Sequence, residues 1–250
     1  NLVSFANYIA ALPAGQKPAS AAYATEDDPF TQPQVDTARS ILTGAGVTSA
    51  YYKVYPAETT DFTPIANGMI NAKAQIVVVG TLLPDVTAFI QAFRQQHYNP
   101  QALIATAGPD QGTAFLNAIG GSAVAEGIFV PNGWYPQLNA FQNQQMVSEY
   151  LAKYGGNASS ISSDVAEAYS VGQVVALAVK QNNSLDQTKL IATLHSGTFN
   201  SVQGPVKFDN TGQNSQATAY LFQWQSGNLI PVIPASAASA PPEFPKHTWP

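Results

Sequence analysis

From residue 19 onward, short apolar runs alternate with segments whose apolar residues recur at helical spacing. Ala19 to Thr25 predicts a buried strand, and Glu26-Asp27-Asp28-Pro29 follows with helix-start chemistry: an aspartate to cap and a proline tolerated in the first turn. Val35, Ala38, Ile41 and Leu42 then share a helical face until Gly44 and Gly46 stop it. Ser49 to Tyr55 predicts a second strand closed by Pro56, and Asp61-Phe62-Thr63-Pro64 opens a helix that turns Ile65, Met69 and Ile70 inward. Ala74 to Thr81 holds the run Ile76-Val77-Val78-Val79-Gly80, whose unbroken β-branched character predicts a central strand of a parallel sheet, buried on both faces.

The alternation continues. Pro84-Asp85 starts a helix carrying Val86, Phe89, Ile90 and Phe93, and Ala102 to Ala107 predicts a fourth strand. A short helix over Thr113 to Ile119 and a fifth strand at Gly127-Ile128-Phe129-Val130 complete the series. Strands alternating with helices of this length imply right-handed βαβ units and a doubly wound α/β parallel sheet over residues 19–131. Beyond that the rhythm changes. Phe141 to Tyr154, Asp164 to Lys180 and Asp186 to His195 read as successive helices, the second apolar over more than one stripe and so in need of a cover. Val202 to Phe208, Ala219 to Gln225 and Leu229 to Ile233 read as short antiparallel strands, and the Pro-rich tail from Pro234 as irregular structure laid on a surface.

Composition narrows the function. Only 10% of the 250 residues are charged, against roughly 25% in an average soluble domain. Ten Lys and Arg face fifteen Asp and Glu, a net charge of -5, so no basic face is available for nucleic acid. The absence of Cys excludes a thiol nucleophile, a thiolate zinc site and an iron–sulfur cluster. The three His lack zinc-binding spacing, and nucleotide-binding and hydrolase motifs are missing. No metal, cofactor or catalytic group is therefore predicted. The acidic cluster Glu26 to Asp28 is read as helix capping in preference to cation binding or acid–base chemistry.

In a doubly wound sheet the ligand lies beyond the carboxyl ends of the strands, near the switch in strand order. Those ends present Phe30, Trp134 and Tyr135 as apolar walls and Thr81 and Asp110 as polar groups able to orient a small molecule. Ordinary core packing accounts equally well for Trp134 and Tyr135.

Several stretches resemble the extracytoplasmic substrate-binding proteins of branched-chain amino-acid type ABC importers. They are Ala22 to Phe30, Tyr55-Pro56 with Thr60 to Ile65, Val77 to Thr81, Tyr98-Asn99-Pro100, Gly108-Pro109-Asp110, Ala125-Glu126-Gly127, Gly204 to Asp209 with Gly212, and Gln223-Trp224-Gln225. The resemblance implies a type I periplasmic binding fold: two α/β lobes that close on a solute held in the interlobe cleft and then present a surface to a membrane permease. It implies aromatic contact at Phe30, an acidic partner for a ligand ammonium at Asp110, and a wall residue at Leu82, where the family pattern has an aromatic. Trp134 and Tyr135 would lie near a hinge. With Leu82 in that place and no hydroxyl on Phe30, a bulkier or aromatic acid joins amino acids as an expected ligand. A ligand-sensing receptor domain of the same fold is the alternative function.

The family pattern also has a βα half ahead of the first strand found here. The expectation is thus a C-terminal fragment holding one complete lobe and part of a second. Residues 1–18 would be helix and crossover of the incomplete first lobe, 19–131 the doubly wound lobe, 132–200 the hinge return and helices of the incomplete lobe, and 201–250 hairpin strands and tail. The missing N-terminal segment or self-association would cover the apolar helix. A periplasmic or extracellular location follows from the same resemblance.

Overall fold

The computed structural model describes residues 2–250, the side chain of Ser160 excepted. The chain forms two compact units, Asn1–Asn132 with Tyr220–Pro250, and Gly133–Ala219. In chain order the first unit contains α1 (Val3–Ala11), β1 (Ser20–Glu26), α2 (Gln32–Gly44), β2 (Thr48–Tyr55), α3 (Thr63–Asn71), β3 (Ile76–Gly80), α4 (Leu83–Gln95), β4 (Ala102–Ala105), α5 (Thr113–Ile119), α6 (Ser122–Ala125) and β5 (Phe129–Asn132). The second unit holds α7 (Asn143–Tyr154), α8 (Ser163–Asn182), α9 (Gln187–Ser196) and the hairpin β6 (Phe199–Ser201) with β7 (Gly204–Val206). The chain then returns to the first unit as β8 (Tyr220–Gln225) and β9 (Asn228–Ile233).

The first unit is built on a sheet of order β2-β1-β3-β4-β5-β8-β9. β1 to β5 pair in parallel, with Tyr23 beside Val78 and Val78 beside Ile104. Each residue of β3 is buried, as its β-branched run predicts. Side chains alternate across the pleat. Ile76 and Val78 pack with α1 and α2 through Leu2, Phe5, Ile9, Val35 and Leu42, while α3 and α4 bring a chain of rings together: Tyr55, Phe62, Phe89, Phe93 and Tyr98 meet at centroid distances of 5.1 to 6.2 Å. Edge-to-face pairs of this kind add about 0.5–1.5 kcal/mol each beyond their burial.

Two features depart from the sequence expectations. The helix ahead of β1 belongs to the first unit and not to an incomplete lobe: Leu2, Phe5, Ala6 and Ile9 are buried in the core made by β1, β3, β4 and β5, and Phe5 lies 5.2 Å from Phe129. The late hairpin strands also divide. β6 and β7 remain in the second unit, whereas β8 joins β5 antiparallel and extends the main sheet. The sheet is consequently mixed, with an antiparallel edge, which is common for folds of this class.

In the second unit, α8 starts at a capped end, with Ser162 accepting from the Asp164 N–H. It buries Ala166, Ser170, Val174 and Ala178 and leaves Val171 and Val175 exposed at 64% and 49%. Its inner stripe packs with Phe199 and Val206 of the hairpin. The breadth of apolar surface expected from the sequence is thus real, and half of it faces outward.

Candidate functional site

β2 lies on one side of β1 and β3 on the other, so successive crossovers diverge between β1 and β3. A crevice opens at the carboxyl ends of two strands where connections part in this way. Here the ends are Thr25-Glu26 and Gly80-Thr81, joined in register with Thr25 beside Gly80.

Threonine hydroxyls fix the backbone at this place. Thr25 and Thr31 both donate to the Glu26 carbonyl, at 3.0 and 3.1 Å, and their hydroxyls lie 3.2 Å apart. Thr106, just past β4, accepts from the Thr81 N–H and donates to the Thr81 carbonyl, both at 2.9 Å, tying the end of β3 to that of β4. Gly80 is demanded by packing: a Cβ there would lie 2.9 Å from the Thr25 Cβ and 3.0 Å from the Thr31 Cβ. Asp28 takes the N–H groups of Phe30 and Thr31 at 2.7 and 3.1 Å. Asp28 of the acidic cluster thus closes the turn ahead of α2 instead of capping it as expected: the helix begins at Gln32, after Thr31, whose side chain makes no cap bond.

Acidic groups gather on this face. The Tyr55 hydroxyl lies 3.0 Å from Asp85 Oδ2 and 3.2 Å from the Gly80 carbonyl, and shares its proton between them. Burial, then the Asp85 charge, pushes that hydroxyl upward, so it stays a donor. Burial also pushes the Asp85 carboxyl up, against the bonds from Tyr55 and the Leu82 N–H. Glu26 is raised by burial first and then by repulsion from Asp85, Asp28 and Glu58.

The residues named from the sequence divide between the units. Phe30 follows β1 and Leu82 follows β3, on either side of the switch; they are 51% and 49% exposed, unusual for such side chains. Thr81 is fully buried, and its Oγ1 has no partner among the described residues. Asp110 lies in the loop after β4, where its Oδ1 accepts from the Gly108 N–H at 2.8 Å. Gly108 has φ +106°, and a Cβ there would lie 2.9 Å from the Leu83 Cα, so glycine alone allows the loop to seat against the start of α4.

Trp134 and Tyr135 belong to the second unit, just after the chain leaves the first at Asn132. Trp134 is 1% exposed and donates its indole N–H to Asn143 Oδ1 at 2.7 Å. The Asn143 amide in turn donates to the carbonyls of Pro136 and Leu138. The Trp134 ring is thus buried, with its indole N–H engaged within the second unit. Missed in the sequence were Thr25, Thr31, Thr106 and the Tyr55–Asp85 pair; their signal is only that each stands at a strand end or helix start. Among the described residues no group of three or more His, Asp or Glu is placed to hold a metal ion.

Comparison with known proteins agrees with the fold. The family described as periplasmic binding protein matches residues 2–228. The Leu/Ile/Val-binding protein homolog 8 of Brucella melitensis is 25% identical over 209 residues, covering 81% of this chain and 51% of that protein. A leucine binding protein of Thermotoga maritima superposes with a TM-score of 0.74 at 15% identity, covering 90% of this chain and 63% of that one. A solute binding protein of an R. palustris ABC transporter, in complex with benzoate, superposes at 0.72 with 16% identity, covering 96% and 63%. The chain spans about half the length of the curated relatives it matches.

Proposed function

The chain belongs to the periplasmic binding protein family, and from that premise we propose that it is the solute-binding part of an ABC importer, working outside the cytoplasmic membrane. The observation that carries the reading is the pair Phe30 and Leu82, two large apolar side chains left half exposed on either side of the switch point. Apolar walls beside fixed polar groups are what a small-molecule site requires. Binding, not catalysis, is the role, as in the relatives named as binding proteins.

The solute is an amino acid or a related small organic acid. An ammonium-bearing one is favoured by Glu26, whose neighbours Asp85, Asp28 and Glu58 repel its charge, and by Asp110 on the adjacent loop. An aromatic acid is the second reading, favoured by Phe30 and by Leu82 in place of an aromatic. A permease is the membrane partner, and no helix among the described residues is long and apolar enough to cross a membrane itself. The outward stripe of α8 at Val171 and Val175 is covered by a further segment of a longer protein or by a second copy. A ligand-sensing receptor would use the same site, with a different contact in the bound state.

Calorimetry with leucine, valine, phenylalanine and benzoate tests this on the gene-encoded full-length protein. Saturable binding of an amino acid is expected, with D110N weakening it about tenfold, the scale of one charge-assisted hydrogen bond. Binding of benzoate alone, weakened by F30A, would select the second reading. No binding by any of the four, with substrate turnover instead, would overturn the function.

A further inference from the structure

At the opposite pole of the first unit, by the amino end of β4, a groove of about 500 Å³ runs between the last turns of α4, the turn His97–Asn99 and the C-terminal segment. We propose that it is a second binding site, separate from the carboxyl-end face, for a small aryl carboxylate. The ring would rest on Trp249 and the carboxylate on Arg94 and His97.

Trp249 is fixed for such a role. Its indole N–H donates to the Tyr98 carbonyl at 2.8 Å, and the Lys246 ammonium covers one face of the ring, 3.4 Å from its centroid. Lys246 is itself held by Asn99 Oδ1 and by the His247 carbonyl at 2.9 Å. Trp249 lines the groove. A planar ring can stack there with little side-chain ordering left to lose.

Arg94 is half-buried and anchored by one bond, from Nη1 to the Ile119 carbonyl at 3.2 Å. Its remaining N–H donors can grip a carboxylate in the two-pronged manner that a guanidinium allows. His97 sits beside it with φ +54°, the left-handed position that ends a helix and is usually glycine.

Among the residues that line the groove, Arg94 carries a fixed positive charge, with His97 beside it and the side-chain amides of Gln91, Gln95 and Asn99 around them. The nearby carboxylate of Glu243 is engaged by His247, 3.3 Å away. A volume of about 500 Å³ is in the range of small-molecule pockets.

The test is an NMR titration of the ¹⁵N-labelled chain with benzoate, following the Trp249 indole N–H and the amides of His97 and Asn99. Benzylamine and cyclohexanecarboxylate serve as the charge-reversed and ring-saturated controls. Saturable shifts with benzoate alone are expected, and R94Q should weaken them about tenfold. Shifts confined to residues near Phe30, Leu82 and Asp110, an equal response to either control, or R94Q binding like the parent would overturn the proposal. Should R94Q fail to fold, W249A followed through His97 and Asn99 replaces it, and undiminished affinity there overturns it equally.

Discussion

Trp224, on β8, donates its indole N–H to the Pro109 carbonyl at 2.9 Å, joining positions 115 residues apart. The bond clips the Gly108–Asp110 loop of the candidate site to the antiparallel edge of the sheet, and the Trp224 ring lies 6.2 Å from that of Phe115. W224F keeps much of the ring packing but leaves the Pro109 carbonyl unpaired. Stability should fall by about 1–3 kcal/mol, read by urea unfolding, and the amides of Gly108 and Asp110 should exchange faster. Unchanged exchange in that loop would remove Trp224 from any role in positioning Asp110.

G80A places a methyl group against Thr25 and Thr31, whose hydroxyls already hold the Glu26 carbonyl. The strand end must shift, at a cost of about 1–3 kcal/mol for overpacking. Solute affinity should drop with it, because Phe30 and Leu82 flank the displaced segment. Denaturation and calorimetry on the same variant measure both, and a G80A protein of parental stability would contradict the packing.

How much of this could be read in the sequence follows from which contacts are local. β3 was legible because a β-branched run has few other uses, and the strand ends led to Phe30, Thr81 and Asp110, while Leu82 came from the family resemblance. The homes of α1 and β8 were not legible. The apolar stripe Leu2, Phe5, Ile9 states that a face is buried but not against what, and the alternation in Tyr220–Gln225 suits a detached hairpin as well as an edge of the main sheet. The shared motifs prove largely to be staples. Gln223 donates to the carbonyls of Gly127 and Glu243, and Glu126 accepts from Ser226, so they mark the fold more than the ligand. The threonines were invisible because threonine is ordinary in strands, and Tyr55 meets Asp85 only through folding.

The acidic face predicts a pH effect. Folding raises the Glu26 carboxyl, through burial first and then repulsion. At pH values between its unfolded and folded values the folded state therefore binds the extra proton, so this group's contribution to stability falls as pH rises through that window. E26Q should melt higher than the parent at pH 7, and the gap should close as the pH is lowered past the carboxylate range. Thermal melts at several pH values decide it; a gap that widens toward acid would show that Glu26 is stabilised in its charged form.

Lys246 predicts the opposite slope. It is 4% exposed, and burial lowers its ammonium to about 7 from an ordinary 10.5, despite the partners Asn99 and Trp249. Between those values the unfolded chain holds a proton that the folded one has lost, so the contribution of this group to stability rises as pH climbs from 7 toward 10. K246M removes the titration and keeps the aliphatic stem against Gly127. Its melting temperature should exceed the parent's below pH 7, where the parent must bury a charge, and the advantage should shrink steadily at pH 8 and 9. The C-terminal segment should respond in parallel: in the parent, the Trp249 indole signal should shift with a midpoint near 7, reporting loss of the ammonium over its ring. If that signal stays flat from pH 6 to 9, the ammonium remains charged, and the contacts with Asn99, His247 and the ring outweigh its burial.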